Sequence, residues 1–251
     1  MKYPVLAYHK VSPQWELSFT MLFPSQFEKQ IRFLAEKGYR GRSLRQYLVE
    51  PREKDFVLTF DDAYESVYQY AMPILKELGF RATVFVPTNY IGKTNTWDFT
   101  PGNILSRHMS ADQIKELHRE GWEIASHGEG HHVLTTLDLP EIKNELLRSK
   151  EILEGLIDDR VDSFCFPFGV YNSELVKAAE DAGYDHLVGF TGTSRYKVIS
   201  RSPVYRVVDG PRSVLRKIRL RPPSLYIEYI KETIFHAFSL LTRIKQRISK
   251  K

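Results

Sequence analysis

Cysteine is almost absent: Cys165 is the one thiol in 251 residues, so no disulfide can close within the chain. No run approaches the roughly 20 apolar residues that cross a bilayer, and no transmembrane helix is expected. The opening MKYPVLAYHK has only a short apolar stretch, broken by Pro4 and His9. It reads as a first strand and not as a signal peptide, so a cytoplasmic location is expected. Strong net charge is also missing over most of the chain. The overall +5 comes from the end: from Pro211 onward eleven Lys/Arg face two acids, Glu228 and Glu232, while the rest holds 25 basic and 29 acidic residues. A basic excess confined to one segment is not a nucleic-acid signature, and no nucleic-acid partner is expected.

What is present is an ordinary globular balance, 42% hydrophobic and 27% charged, in a chain long enough to bury a substantial core. Short β-rich runs alternate with helical patterns. PVLAYH, FVLTF, RATVFVPT, WEIASH, DSFCFPFG and YDHLVGF read as strands. PSQFEKQIRFLAEKG, SVYQYAMPILKELG, SADQIKELHREG, LPEIKNELLRSKEILEGLI and SELVKAAEDAG read as helices, with Ser110 and Ser173 as N-caps. Repeated strand–helix alternation predicts a parallel sheet covered by helices. The number of units favours a TIM-barrel-like α/β barrel over residues 1–210, followed by a basic helical tail over 211–251. Reactive residues of such barrels lie where strands end. His9, Asp61–Asp62, His127 and the PFG of FCFPFG all follow strands, so their polar groups are expected at one rim.

Two of these strand ends carry the chemistry. LTFDDAY ends an apolar run in adjacent carboxylates, Asp61 and Asp62, which repel each other unless a cation or a reaction uses them. On its own, such a pair also serves as a turn or helix cap. In SHGEGHH, Gly128 and Gly130 disfavour a helix, so a tight loop is expected to wrap His127 and His131 around one ion. A catalytic zinc-type site takes about three protein ligands and keeps one position open. Two histidines and one of the aspartates meet that count. The second aspartate is then free to act as a general base on the attacking water.

TFDD, then SHxxxH, then FPFG resembles the polysaccharide deacetylase family, carbohydrate esterase family 4, and the likeness extends over PILKELGFRATVFV, MSADQIKELHREGWEIASH and FCFPFGVYN. The resemblance implies an irregular (β/α)7 barrel and a hydrolase that removes N-acetyl groups from amino sugars. It also implies a divalent metal, usually zinc, held by Asp62, His127 and His131, with Asp61 as general base and Phe168 lining the substrate groove. Cobalt, nickel or manganese suits the same ligands.

Three positions depart from that pattern. Ala63 stands where glycine is usual. Cys165 stands where many members carry an arginine that orients the base, and Arg206, in PVYRVV, is the candidate replacement. The leucine–histidine motif that supplies the acid is missing after Tyr184. PVLAYHKV is similar to the opening segment of a subgroup that includes exopolysaccharide deacetylases, in which the motif order is circularly permuted. That likeness implies His9 as the general acid, histidine being the side chain that exchanges protons near neutral pH. His132 reads as a loop group beside a ligand. His108, His118, His186 and His236 read as structural.

Residues 224–251 show one amphipathic helical pattern, with Leu225, Ile227, Ile230, Ile234, Phe238, Leu241, Ile244 and Ile248 apolar among Lys/Arg. Such a helix either packs on the barrel or lies on an anionic membrane surface. The expected partner is accordingly an N-acetylated glycan or a lipid-linked sugar. The rival readings are a deformylase or other amidase acting on a lipid-linked aminosugar, and a carbohydrate-binding barrel without catalysis.

Overall fold

The structure, a computed structural model, describes residues 3–16, 18–97, 105–190 and 197–219. The strands in chain order are β1 (Val5–Tyr8), β2 (Lys10–Val11), β3 (Met21–Leu22), β4 (Arg40–Arg42), β5 (Asp55–Phe60), β6 (Thr83–Val86), β7 (Glu123–Ser126), β8 (Ser163–Cys165), β9 (His186–Gly189), β10 (Ile199–Ser200) and β11 (Ser202–Pro203). The α-helices are α1 (Pro24–Glu36), α2 (Leu44–Val49), α3 (Met72–Glu77), α4 (Ala111–Arg119), α5 (Leu139–Ile157), α6 (Ser173–Asp181) and α7 (Pro211–Ile218).

The main sheet runs β10-β9-β8-β7-β6-β5-β1-β11, with β4 added beside β5, and its strand pairs are parallel. Its two outer strands, β10 and β11, are separated in the chain by Arg201 alone. Treated as one interrupted stave, they close the sheet into a seven-stave ring against β1 and β9. The expected (β/α)7 barrel is the fold observed.

Sequence chemistry explains the local structure. β5 is buried along all six residues, as a parallel strand covered on both faces must be. α4 begins in a capping box: Ser110 Oγ accepts from the Gln113 N–H at 3.2 Å and Gln113 Oε1 from the Ser110 N–H at 2.9 Å. The cap of α6 is Asn172, not the expected Ser173; its Oδ1 accepts from the Leu175 N–H at 2.9 Å. The helix expected over SVYQYAMPILKELG starts as a π-turn, Val67–Ala71, before α3. Pro73 lacks the N–H an α-helical bond to residue 69 would need, and the wider turn accommodates the loss.

Two cores result. Leu6, Tyr8, Leu58, Phe60, Val84, Ile124 and Phe164 pack outward under the helices, whereas Val5, Val57, Phe85, Ala125, Cys165, Val188 and Ile199 fill the barrel. α7 docks on the body through buried Val214 and Ile218. Its Lys217 Nζ reaches Asp209 Oδ2 at 2.8 Å, and the Asp209 carbonyl accepts from Gln30 of α1 at 2.6 Å. The amphipathic pattern over 224–251 lies outside the described residues. Among the described residues no helix is long and apolar enough to cross a membrane.

The parallel ladders continue one residue past several strands. The Asp61 N–H donates to Tyr8 O, the His127 N–H to Val86 O and the Phe166 N–H to Val188 O, at 2.9 to 3.1 Å. These bonds bring His9, Asp61, His127 and the start of the PFG turn to one end of the barrel.

Candidate active site

Asp61 is buried, and both its oxygens are taken by one guanidinium. Arg201 Nη1 donates to Oδ1 at 2.6 Å and Nη2 to Oδ2 at 2.8 Å. Nη1 also reaches Thr59 Oγ1 at 3.1 Å, and Nη2 lies 3.0 Å from Cys165 Sγ. The arginine missing at position 165 is therefore supplied from the closing stave, and the small thiol leaves room for it. Arg206 does not fill this role. It sits between the Trp15 and Phe23 rings and donates to Glu16 O at 3.2 Å. Burial pushes the Asp61 pKa up, but Arg201 first, then His9 and His127, outweigh it, and the carboxyl is held below the usual carboxylate range. Burial also pushes the Cys165 thiol well up, against the pull of Arg201, so the sulfur beside Asp61 stays neutral.

Asp62, the next residue, faces away from that pair and toward two imidazoles. His131 Nε2 stands 3.1 Å and His127 Nε2 3.6 Å from Asp62 Oδ1. His127 Nδ1 lies 2.7 Å from Cys165 O. A carbonyl can only accept, so Nδ1 carries the proton and Nε2 offers its lone pair to the site. Burial first, then His131, lowers the His127 pKa to about 4 against the opposing pull of Asp61 and Asp62, which keeps the ring neutral and able to ligate. Burial raises the Asp62 pKa, yet His131 foremost, with His9 and His127, brings it well below the ordinary value.

These residues fit a divalent metal. Ligand atoms of Asp62, His127 and His131 lie within 4.8 Å of one another, all three residues buried. Asp62 Oδ1 faces the two imidazole nitrogens at 3.1 and 3.6 Å, a mixed carboxylate–imidazole donor set that a divalent ion takes. Asp61, His127 and Cys165 also converge, but Arg201 occupies Asp61 and the thiol keeps its proton, so that trio is not a ligand set.

Backbone strain gathers here. Asp62, Ala63, His131 and Phe168 all have positive φ, at 67°, 49°, 53° and 58°, a left-handed conformation costing an L-residue roughly 1–2 kcal/mol. Ala63 takes it where glycine is usual in the resembling family, held by its carbonyl accepting from the Met109 N–H at 2.8 Å.

His9 is near the base: its Nε2 lies 3.7 Å from Asp61 Oδ2, with the side chain about 20% exposed. It stacks on Phe190 at 6.3 Å between ring centroids. Phe168 meets the His131 ring edge-on at 4.8 Å, and Trp97 lies over the same ring at 3.7 Å. His132 is 3.7 Å from Glu145 Oε1. His108 supports the site from behind, with Nδ1 2.5 Å from Asp62 O and its ring on Tyr64. Arg201 is the residue that sequence reasoning missed. Its signal was a lone arginine inside VISRSPV, where a charge flanked by short β-type runs and turned inward demands a partner.

The family model for polysaccharide deacetylase matches residues 49–187. The Bacillus subtilis (strain 168) protein YxkH, whose name puts it among polysaccharide deacetylases, is 30% identical over 189 residues, covering 73% of this chain and 62% of that protein. A poly-beta-1,6-N-acetyl-D-glucosamine N-deacetylase from Staphylococcus aureus (strain MRSA252) is 25% identical over 173 residues, 63% of this chain and 57% of that one. The chain thus spans about 60% of the length of these curated relatives. The solved structure of the Streptococcus pyogenes deacetylase PplD shares the fold, with a TM-score of 0.74 at 22% identity, over 87% of this chain and 98% of that one. With the family model spanning more than half of the chain, from the end of α2 into β9, this protein belongs to the polysaccharide deacetylase family.

Proposed function

We propose that this chain is a metal-dependent N-deacetylase of N-acetylated glycans. The observation that carries the reading is the juxtaposition at LTFDDAY: one carboxylate locked by Arg201, and the next turned toward two imidazoles.

A divalent ion held by Asp62, His127 and His131, zinc being the first candidate, would supply Lewis acidity toward the acetyl carbonyl and the attacking water. Asp61 takes the proton from that water as its oxygen bonds to the acetyl carbon. Arg201 keeps the carboxylate ionised and fixes its plane. His9, on the open side of Asp61, gives a proton to the amide nitrogen as the C–N bond breaks, releasing acetate and a free amine. Phe168 and Trp97 form an apolar wall beside His131 for the acetyl methyl and a sugar face. The substrate class follows the Staphylococcus aureus relative, whose name specifies an N-acetylglucosamine polymer. A lipid-linked sugar is the other form, and the basic segment beyond α7 is its proposed route to a membrane.

Acetate release from N-acetylglucosamine oligomers by zinc-loaded protein tests this reading, with Asp61→Asn expected to lower turnover at least ~10³-fold, the combined scale of a lost base and a disturbed site. Formate release from formylated substrates alone would favour the deformylase. No release from any substrate by protein that binds zinc would sink the enzyme reading.

A further inference from the structure

The loop between the two histidines is built around a carboxylate that comes from elsewhere. Glu145 of α5 is buried, and its Oε2 accepts from the backbone N–H of Glu129 at 2.8 Å and of Gly130 at 3.0 Å. Oε1 accepts a further, longer bond from Gly130 at 3.2 Å and lies 3.7 Å from His132 Nε2. The other side of the same peptides is also held: Gly128 O accepts from the Thr88 N–H at 3.1 Å and Glu129 O from the Asn89 N–H at 2.9 Å.

This wrapping accounts for both glycines of SHGEGHH. A Cβ on Gly128, whose φ is +80°, would stand 3.1 Å from Glu145 Oε2. One on Gly130 would stand 3.1 Å from Glu145 Oε1 and 2.4 Å from His132 Nε2. A side chain at either position would crowd the carboxylate, and at Gly130 it would also displace the His132 ring. Hydrogen bonds from N–H groups to an ionised acceptor are among the stronger kind. Here they fix the three residues that separate His127 from His131.

We propose that Glu145 is a positioning residue for metal binding: it sets the span and direction of the two imidazoles, so that α5 rather than the loop itself determines the shape of the grip. The inference rests on the reading of Asp62, His127 and His131 as ligands. Glutamine in place of Glu145 keeps the volume and one accepting oxygen, but it removes the charge and turns an NH2 group toward the Gly130 N–H, which weakens the hold on the loop.

Zinc affinity of the full chain, measured by competition with a chromogenic chelator, tests the proposal alongside denaturant unfolding of the metal-free protein. Glu145→Gln is expected to weaken zinc binding about 10- to 100-fold, the usual range for groups that orient ligands, and the metal-free form should stay folded. Gly130→Ala, which leaves the carboxylate in place but presses on it, should weaken zinc in the same direction. Wild-type affinity in both variants overturns the proposal, as does a loss of affinity that only tracks unfolding of the metal-free form. Failure of the wild-type protein to bind zinc, cobalt, nickel or manganese would instead overturn the ligand assignment and this inference with it.

Discussion

Two carboxylates lie buried at opposite ends of the barrel, and the protein treats them differently. Glu123 begins β7, at the end away from the site. Its Oε2 accepts from the Arg45 N–H at 2.8 Å and Thr83 Oγ at 2.7 Å, and its Oε1 from Ser163 Oγ at 2.5 Å. Asp62 follows β5 at the other end, and its Oδ1 faces His131 Nε2 at 3.1 Å and His127 Nε2 at 3.6 Å. Burial alone does not separate the two; the kind of partner does. A carboxylate saturated by N–H and O–H donors ties β6, β7 and β8 to α2, whereas one set against two imidazoles suits a cation.

Substitutions can break this contrast, and the largest effect is expected at Asp62. Asp62→Ala removes one of three ligands, so turnover should fall on the order of 10³-fold or more with loss of stoichiometric zinc. Unfolding of the metal-free protein should change little, by at most about 1 kcal/mol, because Asp62 gives up only its contact with His131.

The next effect falls on the base. Arg201→Met leaves Asp61 buried without its cation, which should cost about 3–5 kcal/mol of stability, with part recovered in Asp61→Asn/Arg201→Met. In the wild type the folded pKa of Asp61 is depressed. The ionised carboxylate therefore contributes stability above its unfolded value of about 3.9, lost as pH falls through the folded value. Arg201→Lys, which loses the two-pronged contact, should move the acid limb of kcat/KM to higher pH and cost about 10- to 100-fold in rate at neutral pH.

Glu123→Gln should reverse the Asp62 pattern, lowering stability by about 1–3 kcal/mol in denaturant melts while zinc affinity stays at the wild-type value. The smallest effect is at Cys165, whose buried thiol has its pKa raised. It should resist a thiol reagent at pH 8 in the folded protein and react fully once unfolded.

The barrel was legible because its signals are local. Strand–helix alternation and the Ser110 cap each reside within a few residues, and errors were local too: Asn172 caps α6 one place before Ser173, both being capping types. The clustering of Asp62, His127 and His131 was legible because they follow strands whose parallel register brings them together. Arg201 was not legible, for a tertiary reason. It lies 140 residues from Asp61 in sequence, and only closure of the ring brings the two together, whereas Arg206 offered the same charge five residues later with its side chain turned to Trp15 and Phe23. Ala63 was legible only as a missing glycine; the structure shows that it takes the left-handed backbone that glycine normally tolerates there.

Arg201 also occupies the single link between β10 and β11. The counter-charge of Asp61 is thus installed by the same residue that seals the ring. A chain whose first stave has parted from its last would keep Asp62, His127 and His131 yet leave Asp61 without its clamp. Under the proposed function, amide cleavage would then depend on closure of the ring.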